Sequence, residues 1–323
     1  LAVKNHQENN LDAAQNLYDQ ALKINPNFVA AHFNLGIVFN KLGDNQKAKN
    51  SFEKAIEINP NYANAHNALG AILNQLGHTQ KATECYEKAI KIEPNNASVL
   101  NNLGVIFTNI SDHKKAISSY EKAIKIQPNY ANAYFNLGVV FNKIGEFQKA
   151  ISSYEKAIEI QPNYGDAYNN LGTIFKLSRE HQKAKECYEK AIEINPNYAN
   201  AYNNLGVMLV ELKDYQKAKE YYEKAIEIDP NYVNAYNNLG PVLVELKNYQ
   251  KAKECYEKAI EINPNYKDAY NNLGNLFKII ENHKKAKESY EKAIEIDPNY
   301  VDAYNNLGLL CLVLEENQKS IRC

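Results

Sequence analysis

Residues 182–198 read QKAKECYEKAIEINPNY, and residues 250–266 read QKAKECYEKAIEINPNY again, letter for letter. The two copies begin 68 residues apart, twice 34. Working outward, the dipeptide Leu-Gly ends in glycine at Gly36, Gly70, Gly104, Gly138, Gly172, Gly206, Gly240, Gly274 and Gly308, always 34 residues on. Prolines keep the same step at Pro26, Pro60, Pro94, Pro128, Pro162, Pro196, Pro230, Pro264 and Pro298, and alanines share the frame from Ala48 to Ala286. A fixed period of this size marks an array in which each unit buries its apolar face only against its neighbours. Eight complete repeats begin at Val29, Ala63, Ala97, Ala131, Gly165, Ala199, Val233 and Lys267, filling residues 29–300. Residues 1–28 read as the tail of an earlier repeat and 301–323 as the head of a later one. Both ends stop within a repeat, so no polar cap is visible and further chain is expected on either side.

The bulk numbers suit that arrangement. The chain has 323 residues, of which 45% are hydrophobic, enough for a thin, extended core. With 37 Lys and Arg against 38 Asp and Glu, the net charge of -1 gives no electrostatic case for nucleic acid or for an anionic membrane as partner. No apolar run has the length of a membrane span, and no signal-peptide pattern is seen.

Within a repeat, apolar or small residues fall at positions 4, 7, 8 and 11, the spacing of one helical face. In repeat 6 these are Tyr202, Leu205, Gly206 and Leu209. A second helical run carries Ala218, Tyr222, Ala225 and Ile226 on its apolar face. Glu84/Lys88 and Glu186/Lys190 are expected as i,i+4 ion pairs on its outside. The Pro-Asn-Tyr segment then stops the helix, because proline cannot continue the hydrogen-bond ladder. These residues, with Pro230, resemble the signature of tetratricopeptide repeats: aromatic, Leu-Gly, a large apolar residue, Ala, aromatic, Ala, Pro. The resemblance covers essentially the whole chain. It implies an all-α, right-handed superhelical solenoid of antiparallel helix pairs that binds other proteins.

Cysteines and histidines give no chemistry. Cys85, Cys187, Cys255 and Cys323 all occupy position 23, where other repeats carry Ser51, Ser119, Ser153, Tyr221 or Ser289, and Cys311 replaces the large residue of position 11. At least two repeats separate the position-23 thiols, and no CxxC occurs, so they read as packing residues of a reducing compartment. A cytoplasmic or nuclear location is therefore expected, which discounts the sequons at Asn96 and Asn109. His113, His181 and His283 recur at position 17, while His32 and His66 stand in for tyrosine at position 4. None has the spacing of a zinc ligand set. With no nucleophile elbow, Walker loop or dinucleotide fingerprint, the segment is expected to be non-catalytic, with no metal and no cofactor.

Asparagine is the informative residue. Position 6 is Asn34, Asn102, Asn136, Asn170, Asn204, Asn238, Asn272 and Asn306, with Ala68 the exception. Position 5 is Asn67, Asn101, Asn169, Asn203, Asn237, Asn271 and Asn305. Positions 2, 5, 6, 9, 12 and 13 form a stripe opposite the apolar face. In the family this stripe lines the concave groove. The position-6 series resembles the superhelix of O-GlcNAc transferases and SPINDLY-type glycosyltransferases, where such asparagines hold extended substrate chains. An amide both donates and accepts, so it can clamp a peptide main chain without reading its side chains. The alternative is that duplication copied an asparagine-rich unit whose amides only meet solvent. Because mid-helix asparagine costs roughly half a kcal/mol against alanine, replacing position 6 with alanine is expected to keep or improve folding.

The carboxylate clamp for chaperone tails needs basic residues at positions 2 and 6. Position 2 is instead Ala30, Asn64, Ser98, Asn132, Asp166, Asn200, Asn234, Asp268 and Asp302, which argues against that use. Along the stripe, repeats 1–4 contribute Lys41 and Lys143. Later repeats contribute Asp166, Glu211, Glu245, Asp268 and Asp302 against Lys176 and Lys278, so the later half is expected to favour neutral or basic segments. Pro241 at position 9 removes an amide donor inside a first helix, so a local kink is expected there, read either as a hinge or, preferably, as drift at a tolerant exposed position.

Three functions remain open: a scaffold holding extended partner segments, the substrate-recruiting arm of an O-linked glycosyltransferase whose catalytic domain lies elsewhere, or an architectural solenoid. The partner is expected to be a protein or extended peptide, with self-association through the uncapped ends as a further possibility.

Overall fold

The structure, a computed structural model, describes residues 2–8 and 10–321, and the side chains of all these except 7 and 315–321. Cys323 lies outside the described residues. Among them are nineteen helices and no strand. Helices α1 (Ala2–Gln7) and α2 (Leu11–Ile24) precede repeat 1, and α19 (Val301–Ile321) follows repeat 8. Each repeat between them supplies a 13-residue first helix and a 14-residue second helix, as in α13 (Ala199–Glu211) and α14 (Tyr215–Ile228). The helices form two compact units, residues 1–162 and 163–323.

In each unit a first helix packs on its own second helix and on the second helix of the repeat before it. Successive first helices also touch, whereas no second helix packs comparably on its successor. The first helices therefore form the closer-packed side of each unit.

Sandwiching the first helix between two partners buries more than one stripe. Ala201 at position 3 and Met208 at position 10 are fully buried, and so are their counterparts Ala167 and Ile174. The four-position apolar face read from sequence omitted both positions, because a helix covered on two sides loses its single-sided pattern.

The small and aromatic residues form one device. Tyr222 is buried with its ring over Gly206, where an added Cβ would stand 2.7 Å from Cε1. Gly104 faces Tyr120, Gly138 faces Tyr154 and Gly274 faces Tyr290 in the same way. Glycine at position 8 is thus the seat of the aromatic ring at position 24, and this contact holds the two helices of a repeat together.

Local hydrogen bonds set the boundaries. Asp44, Asp112, Asp214 and Asn282 accept from the backbone N–H three residues on, capping second helices. At the other end Asn195 Oδ1 accepts from the N–H of Asn197, turning the chain around Pro196. The i,i+4 pairs expected at Glu84/Lys88 and Glu186/Lys190 are not the ones formed. Gln80 and Gln182 donate to those glutamates, and Lys190 reaches Glu193 at 2.9 Å instead. The hinge at Pro241 is not seen either. Helix α15 (Val233–Glu245) runs through the proline at the same 13-residue length as the other first helices. Pro241 is exposed, and α15 packs on α14, α16 and α17 as other first helices pack on their neighbours.

Candidate peptide-binding face

The two asparagine positions flank each first helix and point to different neighbours. Six of the position-6 asparagines donate through Nδ2 to the Oδ1 of position 5 in the preceding repeat, 35 residues back. In the first unit Asn102 donates to Asn67 at 3.1 Å and Asn136 to Asn101 at 3.0 Å. In the second, Asn204 bonds Asn169, Asn238 bonds Asn203 and Asn272 bonds Asn237, each at 3.0 Å, and Asn306 bonds Asn271 at 2.9 Å.

Burial divides the series. Asn101, Asn169, Asn203, Asn237 and Asn271 are buried between repeats, Asn67 is half-buried, and Asn305 is exposed. All eight position-6 asparagines, from Asn34 to Asn306, are half-buried. Position 5 was read from sequence with the groove stripe, and the structure places most of it inside the seam. Asn169 and Asn203 also lean their Nδ2 toward the Oδ1 of Asn170 and Asn204, at 3.4 and 3.5 Å. An amide can make up to four hydrogen bonds. The rung occupies one N–H of each of these six position-6 amides and holds its plane in place.

The rungs also reverse an expectation about stability. Removing a position-6 amide leaves a buried acceptor without its donor, which costs about 1–3 kcal/mol. That outweighs the few tenths gained in helix propensity. Sequence reasoning missed this because the bond joins residues 35 apart, and residues so spaced do not match uniformly: Phe33 stands with Ala68, but Phe135 with Asn170.

Other groups on this side are also engaged. Tyr198 donates to Asp166 at 2.6 Å and Tyr300 to Asp268 at 2.7 Å, linking the Pro-Asn-Tyr turn to position 2 of its own repeat. Burial, and next the bonded carboxylate, raise both phenols above the usual tyrosine range. Tyr266 donates to Asn234 in the same way. Lys176 and Glu211 pair at 3.6 Å across two repeats, so part of the later half's charge is internally balanced.

The thiols sit in packing positions. Cys187 is buried, Cys85 and Cys255 are half-buried, and Cys311 is exposed. Burial, with Glu254 and Glu223 adding, pushes the Cys255 thiol up to about 12, and burial also raises Cys85, which keeps both protonated near neutral pH. His32 and His66 hold the carbonyls of Pro26 and Pro60 through Nε2, each at 2.9 Å. Among the described residues no three His, Cys, Asp or Glu side chains gather as a metal site, and no helix is long and apolar enough to cross a membrane.

Helix pairs of this length, with the glycine–aromatic seat repeated in frame, define a tetratricopeptide-type array. The tetratricopeptide repeat model matches residues 28–95, 95–163, 197–265 and 231–299, and related repeat models match 165–198, 5–43 and 289–323. The chain belongs to the tetratricopeptide repeat family. Solved structures agree on the fold. It is similar to the Cut9-Hcn1 hetero-tetramer of APC/C at 18% identity and TM-score 0.65, covering 94% of this chain and 59% of that one. It is also similar to pilF of Pseudomonas aeruginosa at 21% identity and TM-score 0.58, covering 65% and 95%. YrrB, described as a TPR protein with an unusual peptide-binding site, matches at 27% identity and TM-score 0.47, covering 59% and 98%. No curated protein matches the chain.

Proposed function

We propose that the chain is a non-catalytic scaffold that holds extended segments of partner proteins along the first-helix side. The observation that carries this reading is the run of four consecutive amide rungs in the second unit, from Asn169/Asn204 to Asn271/Asn306. Each rung fixes a half-buried carboxamide once per repeat, with hydrogen-bonding capacity to spare. A side chain already held in place loses little entropy when it binds, which favours main-chain recognition by a regular row of such groups.

The test imports the first unit's own substitution. Asn203→Phe with Asn238→Ala, together with Asn237→Phe with Asn272→Ala, copies the pairing of Phe33 with Ala68 and removes two rungs without stranding an acceptor. On an array of short peptides, capture dependent on the second unit should be lost while helical circular dichroism is kept. Unchanged capture would exclude the asparagine face as the binding surface.

A further inference from the structure

Two pockets in the first unit lie apart from the asparagine face and share none of its residues. One holds about 640 Å3 and the other about 630 Å3. The first has Ile56, Pro60 and Ile92 for walls, the buried His66 beneath them, and the exposed Lys88 and Lys91 at its rim. In the second, Ile90, Pro94, Ile126, Leu100, Lys122 and Lys125 occupy the same repeat positions. The pockets therefore recur one repeat apart, in repeats 2 and 3.

Two departures from the repeat pattern coincide there. Position 4 is tyrosine in repeats 4–8 but His66 and Leu100 in repeats 2 and 3. In repeat 4 Lys156 Nζ donates to Glu159 at 2.7 Å, which raises the ammonium, and the Tyr134 phenol adds a smaller contribution. Lys190 and Lys224 have Tyr168 and Tyr202 beside them in the same way. In repeat 4 Tyr134 and Lys156 also line a pocket, of about 550 Å3, but with Glu159 where the other two have Lys91 and Lys125, and without the isoleucine and proline walls.

Position 29 is the second departure. It is glutamate in repeats 1 and 4–8, where it pairs with the position-26 lysine: Lys54 with Glu57 at 2.9 Å, Lys156 with Glu159 at 2.7 Å, Lys258 with Glu261 at 2.8 Å. In repeats 2 and 3 it is Lys91 and Lys125. Each balanced ion pair is replaced by two like charges, and among the described residues none of Lys88, Lys91, Lys122 and Lys125 makes an ion pair. The acid on the adjoining turn, Glu93, accepts from Asn96 at 3.1 Å.

We propose that these two pockets dock an acidic, extended segment of a partner protein, seating apolar side chains in successive pockets and carboxylates on the four lysines. The spacing supports this. An extended segment of polyproline II type repeats every third residue, so side chains on one face stand about 9 Å apart. Packed helices stand roughly 8–10 Å apart, and the first helices of repeats 2 and 3, α5 (Ala63–Gln75) and α7 (Ala97–Asn109), touch. Charge complementarity names the sign of the partner, because four unpaired ammoniums attract carboxylates and disfavour basic chains. His66 forms part of the wall and offers no free polar atom: its Nε2 is held by the Pro60 carbonyl at 2.9 Å, and its Nδ1 is buried away from the pocket's opening.

The probe is a fluorescein-labelled peptide of Glu-Glu-Leu four times over, read by fluorescence anisotropy on the full chain, with a Gln-Gln-Leu counterpart. Two double variants each restore what other repeats carry and so keep the fold: Lys91→Glu with Lys125→Glu, and His66→Tyr with Leu100→Tyr. The glutamate peptide should bind the native chain, and each double variant should weaken it about tenfold or more. The glutamine peptide should bind at least as weakly. Both peptides are also read in the Asn203→Phe, Asn238→Ala, Asn237→Phe, Asn272→Ala background, so that main-chain capture by the asparagine face is not counted as pocket binding. The proposal is overturned if the glutamate peptide does not bind. It is equally overturned if only the lysine variants weaken binding, since that is diffuse charge attraction, or if phosphatidylserine vesicles bind the native chain as tightly as the peptide.

Discussion

Residues 1–162 and residues 163–323 are built from the same repeat and use it differently. The second unit joins its repeats by four asparagine rungs in succession. The first has two such rungs, and sets Phe33 and Ala68 at the positions of another. Of the eight position-5/position-6 pairs 35 residues apart, seven are both amides or both apolar, and Phe135 with Asn170 is the exception. The matching follows from the asymmetry of buried hydrogen bonds, where losing one partner costs far more than losing both. The turn between helices differs as well. At position 15 the backbone is left-handed throughout, and the first unit places Gly43, Gly77 and Gly145 there beside Ser111. The second places Arg179, Lys213, Lys247 and Glu281, with φ between 57° and 61°. The first unit therefore varies at the seam and at helix positions 4 and 29, and the second at the turn.

The largest effect should test what the units share. Gly104→Ala and Gly206→Ala, one in each unit, push a methyl against the rings of Tyr120 and Tyr222. Each should cost about 1–3 kcal/mol in urea denaturation. Gly308→Ala is the control, since nothing lies within 4 Å of its added Cβ; it should be neutral or stabilise by about 0.5–1 kcal/mol. If all three behave alike, the glycine–aromatic seat is not what holds a repeat together.

Next comes the seam. Asn238→Ala alone strands the buried Oδ1 of Asn203 and should lower stability by about 1–2 kcal/mol. Adding Asn203→Phe makes the seam resemble Phe33/Ala68 and should recover most of that loss. A double variant no better than the single one would break the both-or-neither rule. The smallest effect lies at the turn. Lys213→Gly should raise stability by about 0.5–1 kcal/mol, because it removes the side-chain clash of a left-handed residue. Gly43→Lys in the first unit should do the reverse, and thermal midpoints of the two variants would show whether the turns are interchangeable.

Much of this was legible from the residues alone. The period located every helix pair because glycine, alanine and proline are each confined to places where their shape is required. The partner of Gly206 was not legible, since seating against Tyr222 is a matter of distance across two helices. Positions 3 and 10 escaped notice because a helix covered on both sides has no single apolar stripe. The asparagines were found by their recurrence, but a list of positions could not show that Asn203 faces a neighbouring helix while Asn204 on the next position stays half-exposed. The pockets of repeats 2 and 3 were visible only as exceptions, and Leu100 and Lys125 acquire meaning together once both line one cavity.

Each rung joins residues 35 apart, one whole repeat plus one residue. Adding or deleting a block of 34 therefore hands every position-6 amide a new position-5 neighbour in the same geometry, wherever both are asparagine. The identical strings at 182–198 and 250–266 are places where unequal recombination could join such blocks in frame. An array with a uniform run of amides can lengthen or shorten by whole units without exposing an unpaired group at the junction. In the first unit, where Phe33 and Ala68 form a matched pair, the same exchange would set phenylalanine against asparagine. The amide run is thus a record of where this protein can change its length without first changing its residues.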